Sequence, residues 1–261
     1  EWMPITFFRN DNGVLNKVVA TGLENETGWW FSIEKGDFDK DGDVDFIAGN
    51  LGLNYKYKTS KEKPFDIYYD DFDTNGRNDI VLGYYQDNKH FPLRGFSCSS
   101  EQIPDLKGKI EKYDVFAALE IEQVYGDENL QNALHYKATT FASSYIENIG
   151  NGRFKMTPLP IEAQFSNIND MEVADFNKDG SLDVLTVGNL FASEIETPRN
   201  DAGTGLLILG DGKGGFSALT NKESGFFANR NAKKTVIISN KQQKKLLIAN
   251  NNDKLQCFTL K

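Results

Sequence analysis

The 261-residue chain is 39% hydrophobic with a formal charge of −9, enough apolar material for a sizeable core and the wrong sign for binding nucleic acid by phosphate neutralisation. No apolar run approaches the roughly 18 residues of a membrane span, and nothing at the start has the layout of a signal peptide. The chain opens at Glu1, not Met, so any export signal or lipid anchor is expected upstream.

Ile5 to Val19 reads as strand, Asn10-Asp11-Asn12-Gly13 turn, strand, a hairpin by its turn chemistry. Trp29-Trp30-Phe31-Ser32-Ile33 follows, an aromatic run expected to enter a β-core, with a ligand platform as the other reading. Next comes Gly36-Asp37-Phe38-Asp39-Lys40-Asp41-Gly42-Asp43-Val44-Asp45-Phe46, whose carboxylates alternate with other residues and break at a glycine. Beyond Gly49-Asn50, the Lys- and Tyr-rich stretch from Asn54 to Lys63 reads as a solvated loop. The strand Pro64 to Tyr69 feeds a second acidic loop, Asp71 to Asp79, and Ile80 to Tyr85 leaves it toward a turn at Gln86 to Lys89.

Gly95-Phe96-Ser97-Cys98-Ser99-Ser100 is expected to be flexible. Helical spacing begins at Tyr113, with Asp114 as N-cap, Val115, Ala118, Leu119 and Glu122 on one face, and Gly126 as the stop. Asp127 then caps a second helix with Leu130, Ala133 and Leu134 inward, so a helical insertion is expected at about 105–137 of a single domain spanning 1–261. Strands resume with Tyr145 to Ile149, a Gly150-Asn151-Gly152 turn, and Arg153 to Met156. Met171 to Ala174 carries a third acidic loop, Asp175 to Asp183, which feeds Val184 to Gly188. Gly210 to Gly215 resembles a phosphate cradle but lacks G-x-x-x-x-G-K-[ST] and the helix after it, so it reads as a hairpin turn. Val236 to Ile238, a Lys-rich turn at Asn240 to Lys245, and Leu246 to Asn250 keep the strand pair without an acidic loop. The seven lysines from Ala232 to Lys261 are expected to guard strand edges, a partner surface being the alternative.

Each acidic loop has the form D-x-[DN]-x-[DN]-G-x-x-D, and hard oxygen ligands in such number suit calcium. The ligands expected are Asp37, Asp39, Asp41, Asp43 and Asp45; Asp71, Asp73, Asn75, Arg77 and Asp79; and Asp175, Asn177, Asp179, Ser181 and Asp183. Position seven (Asp43, Arg77, Ser181) contributes its carbonyl, and the closing Asp at position nine is the expected bidentate ligand. An EF-hand is excluded, because its acid stands at position twelve, here Ala48, Leu82 and Thr186, and its flanks are helices rather than β-branched strands. Three bound Ca2+ would add +6 and bring the charge from −9 to about −3.

The loops with their flanking strands resemble the FG-GAP or VCBS-type repeat of integrin α-subunit propellers and many secreted bacterial proteins, and the stretch Thr140 to Asn148 is similar to secreted bacterial relatives of cartilage acidic protein. The first two loops start 34 residues apart and the third 104 residues later; a 34-residue period fits propellers and solenoids. The resemblance implies an all-β propeller, complete or partial, of four to five short four-stranded blades, with structural calcium between strands. It implies a secreted or cell-surface module for adhesion, glycan or protein recognition, outside the cytoplasm because such sites need roughly 0.1 to 1 mM calcium. The rivals are a calcium-dependent polysaccharide-cleaving enzyme, which needs a basic residue and exposed aromatics on one cleft, and a passive spacer. Cys98 and Cys257 give no C-x-x-C motif and are expected as buried thiols, while His90 and His135, far apart in sequence, offer little material for a zinc site or a catalytic triad.

Overall fold

Short β-branched runs separated by Gly, Asn and Asp cannot sustain long strands, and the chain folds into several small antiparallel sheets. The computed structural model describes residues 1–193, 197–239 and 243–260. In chain order the strands are β1 (Met3–Pro4), β2 (Phe8–Asp11), β3 (Val14–Lys17), β4 (Thr27–Gly28), β5 (Ser32–Gly36), β6 (Asp45–Gly49), β7 (Phe65–Asp70), β8 (Asp79–Gln86) and β9 (Lys89–Pro92). Five short helices follow, α1 (Phe96–Gln102), α2 (Leu106–Lys109), α3 (Tyr113–Ala118), α4 (Ile121–Tyr125) and α5 (Asp127–Asn132). Strands return with β10 (Leu134–Ala138), β11 (Ser144–Asn148), β12 (Phe154–Pro158), β13 (Ile168–Ala174), β14 (Asp183–Gly188), β15 (Leu206–Gly210) and β16 (Phe216–Leu219). After helix α6 (Asn221–Ser224) come β17 (Ala232–Ser239), β18 (Lys244–Asn250) and β19 (Gln256–Leu260). The described residues form two compact units: Glu1–Pro4, Asn25–Gly28 and Tyr57–Thr140; and Ile5–Glu24, Trp29–Lys56 and Phe141–Lys261.

In the first unit the sheet order is β10-β7-β8-β9, with β1 and β4 as a separate pair. Tyr68 and Val81 stand opposite each other on β7 and β8 and meet Ile103, Leu106, Phe116, Ile121 and Leu130 from the helices in one core. Within α4, Ile121, Val124 and Tyr125 are buried at helical spacing, the Gln123 side chain accepts from Glu120 N at 2.8 Å, and Gly126 at φ 87° stops the helix.

Several expectations for this region need correction. Helix begins at Phe96, where a flexible polar stretch is expected, because Phe96 enters the core and Ser99 Oγ donates to the Arg94 carbonyl at 3.1 Å. Phe116, not Val115, is the buried anchor of α3, whose N-cap is Lys112 rather than Asp114, and the chain turns extended at Leu119. Leu134, expected inward on a helix, is 52% exposed on β10, where it pairs with Tyr69; the insertion ends at Asn132 and strand pairing overrides the helical spacing.

In the second unit the sheet orders are β12-β11-β6-β5, β13-β14-β15-β16 and β17-β18-β19, beside the hairpin β2-β3. The turn of that hairpin is Asn12-Gly13, with φ 55° and 93°, the left-handed pair that strand twist favours. Successive sheets pack face to face. Phe38, Ile47, Met171, Val184 and Ile208 fill one core, whereas Leu185, Val187, Leu246 and Ile248 fill another. Neighbours on β14 point to opposite faces, so Val184 and Leu185 serve different cores, which is why that strand reads as an unbroken apolar run. The glycines that end these strands have a packing reason: a Cβ on Gly49 would lie 2.5 Å from the Ile168 carbonyl, and one on Gly188 1.6 Å from that of Asn167. The Trp29–Phe31 run is only half-buried, with Trp30 packed against the Leu23, Ala48 and Ile146 core and Trp29 tilted on Phe141 at 5.2 Å. Cys98 is half-buried and Cys257 exposed, neither in a disulfide among the described residues, against the expectation of two buried thiols. The Lys-rich turn falls partly outside the described residues.

Candidate metal centre

All three acidic loops connect antiparallel neighbours in the same register. They join β5 to β6, β7 to β8 and β13 to β14, and the residue before position one faces position nine: Gly36 with Asp45, Asp70 with Asp79, Ala174 with Asp183. Backbone conformation repeats as well. Position four is left-handed in each, at Lys40 (φ 64°), Thr74 (59°) and Lys178 (65°), and so is the glycine at position six, Gly42, Gly76 and Gly180 (97°, 83° and 85°). A β-branched residue such as Thr74 in that region is strained, so tertiary and loop bonding must hold it.

That bonding is threefold too. The position-nine carboxylate accepts from the backbone N of the Phe at position two: Phe38 to Asp45 at 3.2 Å, Phe72 to Asp79 at 3.1 Å and Phe176 to Asp183 at 2.8 Å. Position three accepts from N of position five in each loop, Asp39 from Asp41, Asp73 from Asn75 and Asn177 from Asp179. Position five accepts from N of position seven, Asp41 from Asp43, Asn75 from Arg77 and Asp179 from Ser181. The same Phe fastens each loop to a core, Phe38 fully buried and Phe72 and Phe176 partly so, in three different clusters. Reading the loops for oxygen alone misses these anchors, although the recurrence of Phe at position two is visible in the sequence.

The turn draws carboxylates together. Oxygens of Asp37, Asp39 and Asp45 lie within 4.8 Å of one another, as do those of Asp71, Asp73 and Asp79, and either group can hold a metal ion. In the third loop position three is Asn177, so Asp175 and Asp183 are joined there by an amide rather than by a third acid. The remaining predicted side chains shape the turn: Asp41, Asn75 and Asp179 cap backbone N–H groups, and Arg77 stands exposed at position seven with Ser181 buried there.

Loop one differs from the others in how much negative charge is left unmatched. Asp71 and Asp175 each accept two backbone N–H bonds, from Asn75 and Gly76 (3.0 and 2.7 Å) and from Asp179 and Gly180 (3.1 and 2.9 Å). Asp37 Oδ1 and Asp43 Oδ1 are instead buried with no hydrogen-bond partner among the described residues, and an orphaned anionic oxygen is costly without a cation. Burial, then neighbouring carboxylates, hold the Asp39 and Asp43 carboxyls above their usual range. Burial likewise raises Asp79 and Asp183, against hydrogen bonds from Phe72 N and Phe176 N. Asp45 is buried and held in place: besides Phe38 N, Asn148 N donates to Oδ1 and Tyr145 Oη to Oδ2, both at 2.8 Å, which leaves Oδ1 room for a further partner. Lys40 Nζ reaches Ser181 Oγ of the third loop at 3.2 Å rather than its own carboxylates. The carboxylates of the two groups are hard oxygen donors with no His or Cys among them, a set suited to a hard cation rather than to zinc.

A second polar cluster lies in the first unit, where the sequence reading saw little. His90 and His135, 45 residues apart in the chain, converge on the buried Asp66. His135 Nε2 sits 2.7 Å from Oδ1 and His90 Nε2 3.3 Å from Oδ2, while His90 Nδ1 is 3.3 Å from Glu122 Oε1. Gly83 makes the crossing possible, since a Cβ there would lie 2.4 Å from His90 Nε2. Strand pairing carries out this meeting, and spacing in the chain gives no sign of it.

Compared with models of known protein families and with curated protein sequences, the chain matches none.

Proposed function

We propose that the chain is a calcium-stapled recognition module built from FG-GAP or VCBS-like repeats, its small sheets serving as propeller blades, and that it works outside the cytoplasm on a glycan or protein partner. The observation that carries this reading is the repeated loop scaffold: one register, two left-handed positions, one carboxylate-to-backbone network and one Phe anchor, three times over. Scaffolding reproduced to that detail around converging carboxylates supports a common ligand, and the loop-one orphans support a cation. Calcium at the Asp37 and Asp71 loops uses positions one, three and nine with the position-seven carbonyl; a third ion at Asp175 takes the Asn177 amide oxygen instead. Holding a hairpin turn against carboxylate repulsion is a structural role.

Thermal melting with EGTA and with millimolar calcium tests the proposal. Binding to the folded loop alone stabilises by RT ln(1 + [Ca]/Kd), about 2.7 kcal/mol per site at a hundred times Kd. Chelation should therefore lower Tm, and Asp45→Asn, Asp79→Asn and Asp183→Asn should each remove part of that calcium dependence. Equal Tm values with and without calcium in all four proteins would reduce the loops to surface turns.

A further inference from the structure

A cleft of the first unit, about 740 Å³ in volume, opens where the β8–β9 hairpin meets α1 and α3, a size within the roughly 300 to 1,000 Å³ of small-molecule sites. Its lining joins aromatic surface to positive charge. Tyr84 and Phe91, half-buried on adjacent strands with ring centroids 6.3 Å apart, form one wall. Tyr113, 66% exposed, stands at the rim in edge contact with buried Phe96 at 5.2 Å, its hydroxyl 3.1 Å from Ser97 Oγ. Lys89 and Arg94 are exposed in the same lining, and among the described residues neither side chain has a hydrogen-bond or ion-pair partner. In a chain of charge −9, two unmatched cations at an aromatic cleft mark a place where an anion is favoured against the surrounding field. One carboxylate, Asp87, also lines the cleft, offering an acceptor for hydroxyl groups.

We infer that this cleft binds an acidic saccharide, with pyranose faces on Tyr84, Phe91 and Tyr113 and a uronate carboxylate between Lys89 and Arg94. Two cations suit a polymer with sparse charge, whereas a nucleic-acid strand needs a longer basic track than Lys89 and Arg94 give this cleft. A peptide adding as a strand is disfavoured by the cleft's own edge: β9 has only four residues, starts with Lys89 and ends with Pro92, which has no N–H to donate. The inference rests on the recognition-module reading and names its ligand class.

The test is calorimetric titration of the calcium-loaded full chain with a glucuronate-containing tetrasaccharide, its carboxyl-reduced counterpart, an oligo-glutamate peptide and a single-stranded oligonucleotide. Binding of the uronate sugar is expected, weakened at least tenfold by carboxyl reduction, by Arg94→Met or by Lys89→Met, and at least fivefold by Tyr113→Ala, a rim residue whose loss leaves the core intact. Equal binding of the reduced sugar, preference for peptide or oligonucleotide, or no binding at all would overturn it. Calcium-dependent melting recorded on the same samples separates the two ideas. Calcium stabilisation without sugar binding removes only this inference, and sugar binding without calcium stabilisation removes only the calcium reading.

Discussion

Histidine 90 shows how one side chain ties the helical insertion to its sheet. Its ring nitrogens face Asp66 on β7 and Glu122 on α4, its backbone N donates to Glu120 at 3.3 Å, and Tyr85 stacks on it at 4.4 Å. Burial alone would lower its pKa, but the bonds and charges of Asp66 and Glu122 outweigh burial and raise it above the usual 6.5. Asp66 moves the other way, burial being overcome by hydrogen bonds from His135 and His90 that hold it below 3.8. The histidine contribution is therefore complete below about pH 6.5 and is lost as pH rises through the raised folded value. The aspartate contribution is complete above about pH 3.8 and is lost as pH falls further. Stability of the first unit should peak between those limits. His90→Gln should cost about 2 kcal/mol at pH 6 and flatten the decline above pH 6.5; urea melts at pH 5, 6, 7 and 8 check this, and an equally steep decline in the variant would contradict it.

Hairpins are the elements most legible in the sequence, because a turn announces itself locally. Asn12-Gly13, Gly150-Asn151-Gly152 and the three acidic loops all sit where their chemistry puts them. What stays hidden depends on partners distant in the chain: α1 becomes a helix by planting Phe96 in a core, and Leu134 goes to a strand because β7 is waiting. Strand-end glycines lie between these cases. Their position can be read, but the carbonyl that forbids a side chain lies elsewhere in the chain, on Ile168 of another sheet for Gly49 and on Asn167, beside the paired strand β13, for Gly188. Gly188→Ala would drive a Cβ onto the Asn167 carbonyl at 1.6 Å and should cost about 3 kcal/mol or more through overpacking. Gly95→Ala, which meets nothing within 4 Å, should stay within about 0.5 kcal/mol. Denaturant melts of the two variants make the comparison, and equal costs would mean the backbone approach is loose.

For the molecule as a whole, mostly-β architecture is legible from alternation and turn spacing, and among the described residues five of the six α-helices fall in one block between β9 and β10. The converging carboxylates of the first two loops are legible in the sequence but their supports are not, since Tyr145 and Asn148, which hold Asp45, follow it by a hundred residues or more. No single window of sequence contains both. The sheet β12-β11-β6-β5 has the same property, being assembled from two hairpins with the entire Tyr57–Thr140 segment between them.

That order sets a timetable. Each acidic hairpin closes over a few residues and forms within microseconds, whereas Phe46 meets Ile146 only after a hundred-residue excursion, whose closure entropy must be met before any contact rewards it. Until that closure is made, β6 waits with one edge open. An open edge is an invitation to the wrong neighbour, and a cation clamped in the Asp37 turn would keep the waiting hairpin in register. Refolding should accordingly show fewer aggregates, at the same final yield of secondary structure per folded molecule, when calcium is present from the first second than when it is added after a minute.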